Sequence, residues 1–139
     1  MRVICSAKCT ADVIVVLDTS TSVGWSGTAH IRSFMTNLTD LIVANLNVGG
    51  GRIPLGMVTY STWVRQLFRL GQHADVSDIR AAISRFIFYT GASKTHLALS
   101  YVRRYMLRAG SGARNDAPKV VIVLTDGKSS DVGATKVKR

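Results

Sequence analysis

The apolar residues of this chain fall into short β-branched runs separated by longer segments of helical spacing. The run Val13-Ile14-Val15-Val16-Leu17, closed by Asp12 and Asp18, has no polar face and reads as a parallel strand buried on both sides. From Thr28 to about Leu46, Ile31, Phe34, Met35, Leu38, Leu41 and Ile42 recur at helical spacing, which predicts a long helix with one apolar stripe. Asn47 to Gly51, with its three consecutive glycines, ends that helix and turns the chain.

Ile53 to Tyr60 reads as a second strand and Trp63 to Leu70 as a third. The link Ser61-Thr62 is short enough to allow only an antiparallel hairpin. In the third strand, Val64 and Leu67 or Phe68 alternate with Arg65, Gln66 and Arg69, which suggests an edge position. Asp75 to about Phe86 predicts a short helix with Val76, Ile79 and Ile83 on one face, and Asp75 or Ser77 available as cap. A polar loop from Tyr89 to Thr95 precedes another helix, whose expected buried stripe is Ala98, Tyr101, Val102, Tyr105 and Met106. Gly110 to Pro118 reads as a flexible connection, Lys119 to Leu124 as a second buried strand, and Asp131 to Arg139 as the opening of a further helix. Strands alternating with helices predict an α/β fold: a doubly wound, mostly parallel sheet with helices on both faces and one antiparallel edge strand. In such sheets ligands bind beyond the carboxyl ends of the strands, at the switch point.

With 139 residues the chain is one domain, from Ala11 onward, preceded by a lead-in of residues 1–10 that holds Cys5 and Cys9. No apolar run is long enough to span a bilayer, and the first residues lack the apolar segment of a secretory signal. The formal charge is +10, and all eight acids are Asp. Such an excess favours acidic partners, glycosaminoglycan or nucleic acid among them, although a solvated basic surface without a dedicated partner satisfies it equally. Bases are densest at Arg103, Arg104 and Arg108 and at Lys136, Lys138 and Arg139, without the aromatic interleaving of a single-strand groove. Cys5 and Cys9 have poor spacing for zinc; they can bridge each other, stay free, or pair outside this chain.

The chemistry concentrates where the two apolar strands end. Asp18, Ser20 and Ser22 stand on alternate residues and can converge beyond the first strand, while Thr125-Asp126-Gly127 closes the strand at Lys119 to Leu124. Oxygen donors gathered in this way suit magnesium or calcium better than zinc or copper; the plainer reading is a helix-capping loop. His30, His73 and His96 are scattered, there is no Gly-x-Ser-x-Gly elbow, and no general base stands beside the acidic loops, so an enzyme is not expected.

From about Ala11 onward the chain resembles a von Willebrand factor type A domain, also called an integrin I-like domain, of Rossmann-like fold. The resemblance rests on Asp18, Ser20 and Ser22, on Thr95 in the loop from Gly91 to Leu99, and on Asp126. In that family these positions form a metal-ion-dependent adhesion site, so the resemblance implies Mg2+ (or Mn2+) held by Asp18, Ser20, Ser22, Thr95 and Asp126. It further implies a non-catalytic adhesion module, extracellular, that receives an acidic side chain of a protein ligand at the metal. Lys94 and His96 depart from the small or uncharged residues common around the loop threonine; an ammonium there opposes cation binding unless it turns to solvent or meets the ligand. A full domain of the family continues past the fourth strand with two more strands and a final helix. The resemblance therefore implies a partial domain over residues 11–139, completed by missing C-terminal sequence or another chain, with an apolar edge at Val120 otherwise exposed, or a non-functional fragment. Cys9 stands where extracellular members place a cysteine that pairs beyond the last strand, and Asn37-Leu38-Thr39 is a glycosylation sequon. A basic polyanion binder is the rival reading.

Overall fold

The computed structural model describes residues 11–45 and 53–130. Its four strands, β1 Asp12–Asp18, β2 Leu55–Tyr60, β3 Val64–Phe68 and β4 Lys119–Leu124, form one sheet in the order β3-β2-β1-β4. β1 pairs in parallel with both neighbours, Asp18 opposite Tyr60 and Leu17 opposite Leu124. The carboxyl ends of β1, β2 and β4 therefore share one edge of the sheet. β3 runs antiparallel, and a bulge sets Phe68 opposite Met57 but Gln66 opposite Val58. Leu67 is the extra residue, which explains the ambiguous alternation: Phe68 is buried and Leu67 only half-buried.

Successive residues of β1 face opposite ways, so its apolar run needs cover on both sides. Val13, Val15 and Leu17 cluster with Ile31 and Met35 of α1 (Thr28–Asn45) and with Ile79 and Ile83 of α2 (Val76–Arg85). Ile14 and Val16 cluster with Ala98 of α3 (Thr95–Tyr101) and with Val102 and Met106 beyond it. The expected double winding is present. Asp75, rather than Ser77, caps α2: its carboxylate accepts the Asp78 N–H at 3.0 Å and the Ser77 hydroxyl at 2.6 Å. Those bonds hold the Asp75 carboxyl below its ordinary range.

Two helix stripes differ from expectation. In α1, Ile31 and Met35 are buried, but Phe34 and Leu41 are exposed, because they lie roughly 100–120° round the helix from Met35. Buried Thr39 takes a central place instead, its hydroxyl donating to the Met35 carbonyl at 2.8 Å. After Tyr101 the third helix widens into a π turn, Val102–Met106, closed by Leu107 N–H on the Val102 carbonyl at 3.1 Å. Ala98, Val102 and Met106 form the buried line, while Tyr105 is turned out and leans on Tyr101 with ring centroids 5.1 Å apart. Met106 ends over Gly56 of β2, where even an added Cβ would lie 3.1 Å from its Cε. α3 thus runs from the carboxyl edge of the sheet to the amino edge.

The segment from Gly110 to Pro118 is pinned rather than loose. Arg114 donates its backbone N–H and its Nε to the two Asp12 oxygens, each at 2.8 Å, and Lys119 Nζ lies 3.1 Å from the same carboxylate. Asp12 is only 1% exposed. Burial raises its pKa most, yet the donors from Arg114 and Lys119 outweigh that, and the carboxyl titrates below its ordinary range.

Among the described residues β4 is the exposed apolar edge that the resemblance implied, not the second buried strand that its β-branched sequence suggests. Val120, Val121 and Val123 are 37–42% exposed, and only Ile122 and Leu124 join the core, because β4 is the edge of the sheet and nothing among the described residues covers its outer side. Cys5, Cys9, the glycine turn at Asn47 to Gly51 and the helix expected from Asp131 lie outside the described residues.

Candidate functional site

Asp18 closes β1 at the carboxyl edge and is fully buried. Its Oδ1 accepts the Ser20 N–H at 2.8 Å. Its Oδ2 accepts three hydroxyls, from Thr125 at 2.8 Å, Ser93 at 2.9 Å and Tyr60 at 3.3 Å. All four donors are neutral, and among the described residues no lysine or arginine pairs with this carboxylate. Burial first, and the Asp18 charge besides, push the Tyr60 phenol above its ordinary pKa, so it stays a donor.

The loops around Asp18 are stitched to one another. Thr19 donates its hydroxyl to the Tyr89 carbonyl at 2.7 Å, and Trp25 Nε1 donates to the Asp18 carbonyl at 3.0 Å. Thr21 N–H meets the Gly91 carbonyl at 2.9 Å. Gly91 has φ +144°, and a Cβ there would lie 2.5 Å from Thr62 Oγ1, so no side chain fits where the loop before α3 crosses the β2–β3 hairpin. Ser93 N–H donates to Ser130 Oγ at 2.8 Å and Ser130 N–H returns to the Ser93 carbonyl at 2.7 Å, tying in the loop after β4.

The five residues singled out from sequence are not equally connected. Asp18, Ser20 and Ser22 form one linked set, with Ser20 Oγ 3.0 Å from Ser22 Oγ. Ser20 precedes the 3-10 turn Thr21–Val23 without capping it through its side chain, so the plainer reading as a cap fails for that hydroxyl. Ser20 is buried and Ser22 exposed, so the set runs from the strand tip to solvent. Thr95, the buried first residue of α3, reaches Asp18 through Tyr60: its Oγ1 is 3.2 Å from the phenol oxygen. Asp126 is exposed, and its carboxylate accepts the Lys128 N–H at 2.9 Å in a turn that Gly127 completes at φ +81°. It bonds none of the other four, but lines with Asp18, Thr125 and Trp25 a depression of about 280 Å³.

Tyr60 and Ser93 were not legible as parts of this site, and Thr125 was legible only as the strand-end hydroxyl beside Asp126. Tyr60 carried a signal, since it closes β2 in register with Asp18, whereas the two hydroxyls stand in loops already rich in serine and threonine. Lys94 is the half-buried residue that opens α3, its backbone N–H on the Ser61 carbonyl at 3.1 Å. Among the described residues no three His, Cys, Asp or Glu gather as metal donors; the oxygen set here is dominated by hydroxyls.

The family model for the von Willebrand factor type A domain matches residues 12–139. The chain belongs to that family. Its mixed sheet, one antiparallel strand and the rest parallel, is the type A architecture. Chicken (Gallus gallus) matrilin-1 is 35% identical to this type A domain over 120 residues, which are 86% of the chain and 24% of that protein. The mouse (Mus musculus) collagen alpha-4(VI) chain is 30% identical over 129 residues, 91% of the chain and 5% of the collagen. Proximal thread matrix protein 1 of the mussel byssus, solved with a zinc-occupied MIDAS motif, superposes with a TM-score of 0.73 at 26% identity, covering 87% of this domain and 32% of that chain. The domain spans a quarter or less of the length of these two curated relatives, both matrix proteins.

Proposed function

We propose that this type A domain is a binding module that grips a protein ligand through a divalent cation at the carboxyl edge of its sheet. The observation that carries the reading is Asp18: a fully buried carboxylate whose partners are all neutral. Buried charges are otherwise paired with an opposite charge or bound to metal. Ser20, Ser22 and Thr95 would offer hydroxyls and Asp18 and Asp126 carboxylates, an oxygen set suited to Mg2+ or Mn2+. The zinc in the motif of the mussel relative supports a divalent site of this build.

When bound, the cation supplies an electrophilic position that a ligand carboxylate can occupy. The chain's own residues do the remaining work. Tyr60, Ser93 and Thr125 orient Asp18, the Ser93–Ser130 pair holds two loops together, and exposed Ser22 and Asp126 leave the site open to a large partner. The matrix relatives favour an extracellular setting and adhesion over catalysis.

Calorimetric titration of the full chain with MgCl2 and MnCl2, beside Asp18→Ala, tests the reading. Heat is expected from the wild type and none from the variant, with circular dichroism showing that both are folded. Two folded proteins that take up neither ion would overturn it.

A further inference from the structure

We propose a second binding site, for a sulfated polysaccharide, on the arginine cluster at the amino edge of the sheet. α3 begins at Thr95 beside Tyr60 and its π turn ends with Met106 over Gly56, so Arg103, Arg104 and Arg108 stand at the opposite end from Asp18. Thr95 to Met106 covers about 17 Å of helix at ~1.5 Å per residue.

All three arginines are exposed, and none pairs with a carboxylate among the described residues. Residues 103–119 hold five cations, Arg103, Arg104, Arg108, Arg114 and Lys119, against one acid, Asp116. Arg114 and Lys119 are committed to Asp12, which leaves the first three for an outside anion. Cations in a last helical turn also complement the helix dipole, which accounts for Arg103 and Arg104. It does not account for Arg108, which is extended (φ −108°, ψ 147°) beyond the helix, its carbonyl accepting the N–H groups of Ser111 and Ala113. The backbone thus fixes the main chain of a third exposed arginine just past the turn that carries the other two.

Guanidinium forks bind sulfate and phosphate groups in two-pronged fashion. The choice between a sulfated glycan and a nucleic acid turns on Tyr105. It is the one aromatic residue between Arg103 and Arg108, and it leans on Tyr101 rather than standing as one of a series of platforms for bases. The matrix relatives point the same way.

Binding of a fluorescent heparin oligosaccharide to the full chain, measured in EDTA across a salt series, tests this apart from the cation site. Binding is expected to survive EDTA and to weaken steeply with salt. Arg104→Ala/Arg108→Ala is expected to lower affinity about tenfold at ~0.15 M salt and to reduce the log–log salt slope by roughly two. The charge-matched Arg65→Ala/Arg85→Ala pair should stay within about twofold of wild type. Equal losses in the two double variants would reduce the effect to net charge and overturn the site. Tighter binding of single-stranded RNA that Tyr105→Ala abolishes would overturn it in favour of a nucleic acid. Absence of heparin binding at low salt would overturn it outright.

Discussion

Asp12 and Asp18 stand at the two ends of one seven-residue strand, both buried, and they are treated in opposite ways. Asp12 is answered by Arg114 and Lys119, and the result is a closed clamp that pins the start of β4 to the start of β1. Asp18 is answered by one amide and three hydroxyls, which fix its direction without supplying a positive charge. The chain has cations to spare, yet among the described residues none pairs with Asp18. The difference separates a carboxylate that holds the fold from one that the fold holds ready.

The sharpest way to break this comparison is to remove each charge in the presence of a chelator and measure urea unfolding. Asp12→Ala is expected to cost about 2–4 kcal/mol, since it takes a buried, fully hydrogen-bonded carboxylate away from partly exposed Arg114 and Lys119. Asp18→Asn is expected to change stability by less than about 1 kcal/mol, because loss of charged hydrogen bonds is offset by relief of an uncompensated buried charge. If the two variants are equally damaged, Asp18 is already compensated and the contrast fails.

Tyr60→Phe sharpens the same contrast on a smaller scale. It should cost about 1 kcal/mol of stability and weaken Mn2+ binding by roughly 10–100-fold, by analogy with other groups that orient a metal-binding side chain without touching the metal. Undiminished Mn2+ affinity, read by calorimetry, would remove Tyr60 from the site.

The smallest effect is one of pH. The folded Asp12 carboxyl lies below its ordinary value of 3.8, so its stabilisation is complete above that value and is lost as pH falls through the folded pKa. Urea midpoints of the wild type should drop below about pH 4, and Asp12→Ala should flatten that part of the curve. Identical curves would show that Arg114 and Lys119 do not favour the charged form.

Much of the fold was legible because β1 and the three helices carry strong periodic signals, and the double winding follows from a strand without a polar face. What escaped came from tertiary detail. The bulge at Met57/Val58 blurred β3, the π turn rotated Tyr105 out of its stripe, and the sequence of β4 does not reveal which of its faces is covered. At the site, Asp18, Ser20 and Ser22 stood out through their alternation after an apolar run. Tyr60 and Ser93 did not, and Thr125 did so only as the neighbour of Asp126, because a hydroxyl that serves a carboxylate forty or more residues away leaves no local pattern; the Tyr60 bond spans 42 positions.

The parallel pairing of β1 with both β2 and β4 also decides how the molecule would carry tension. Asp12 to Asp18 covers about 20 Å at ~3.3 Å per residue. A pull applied between the amino and carboxyl ends of the strands runs along that axis, across ladders flanking β1 on both sides. Their slanted, evenly spaced hydrogen bonds are loaded together in shear instead of being unzipped one at a time.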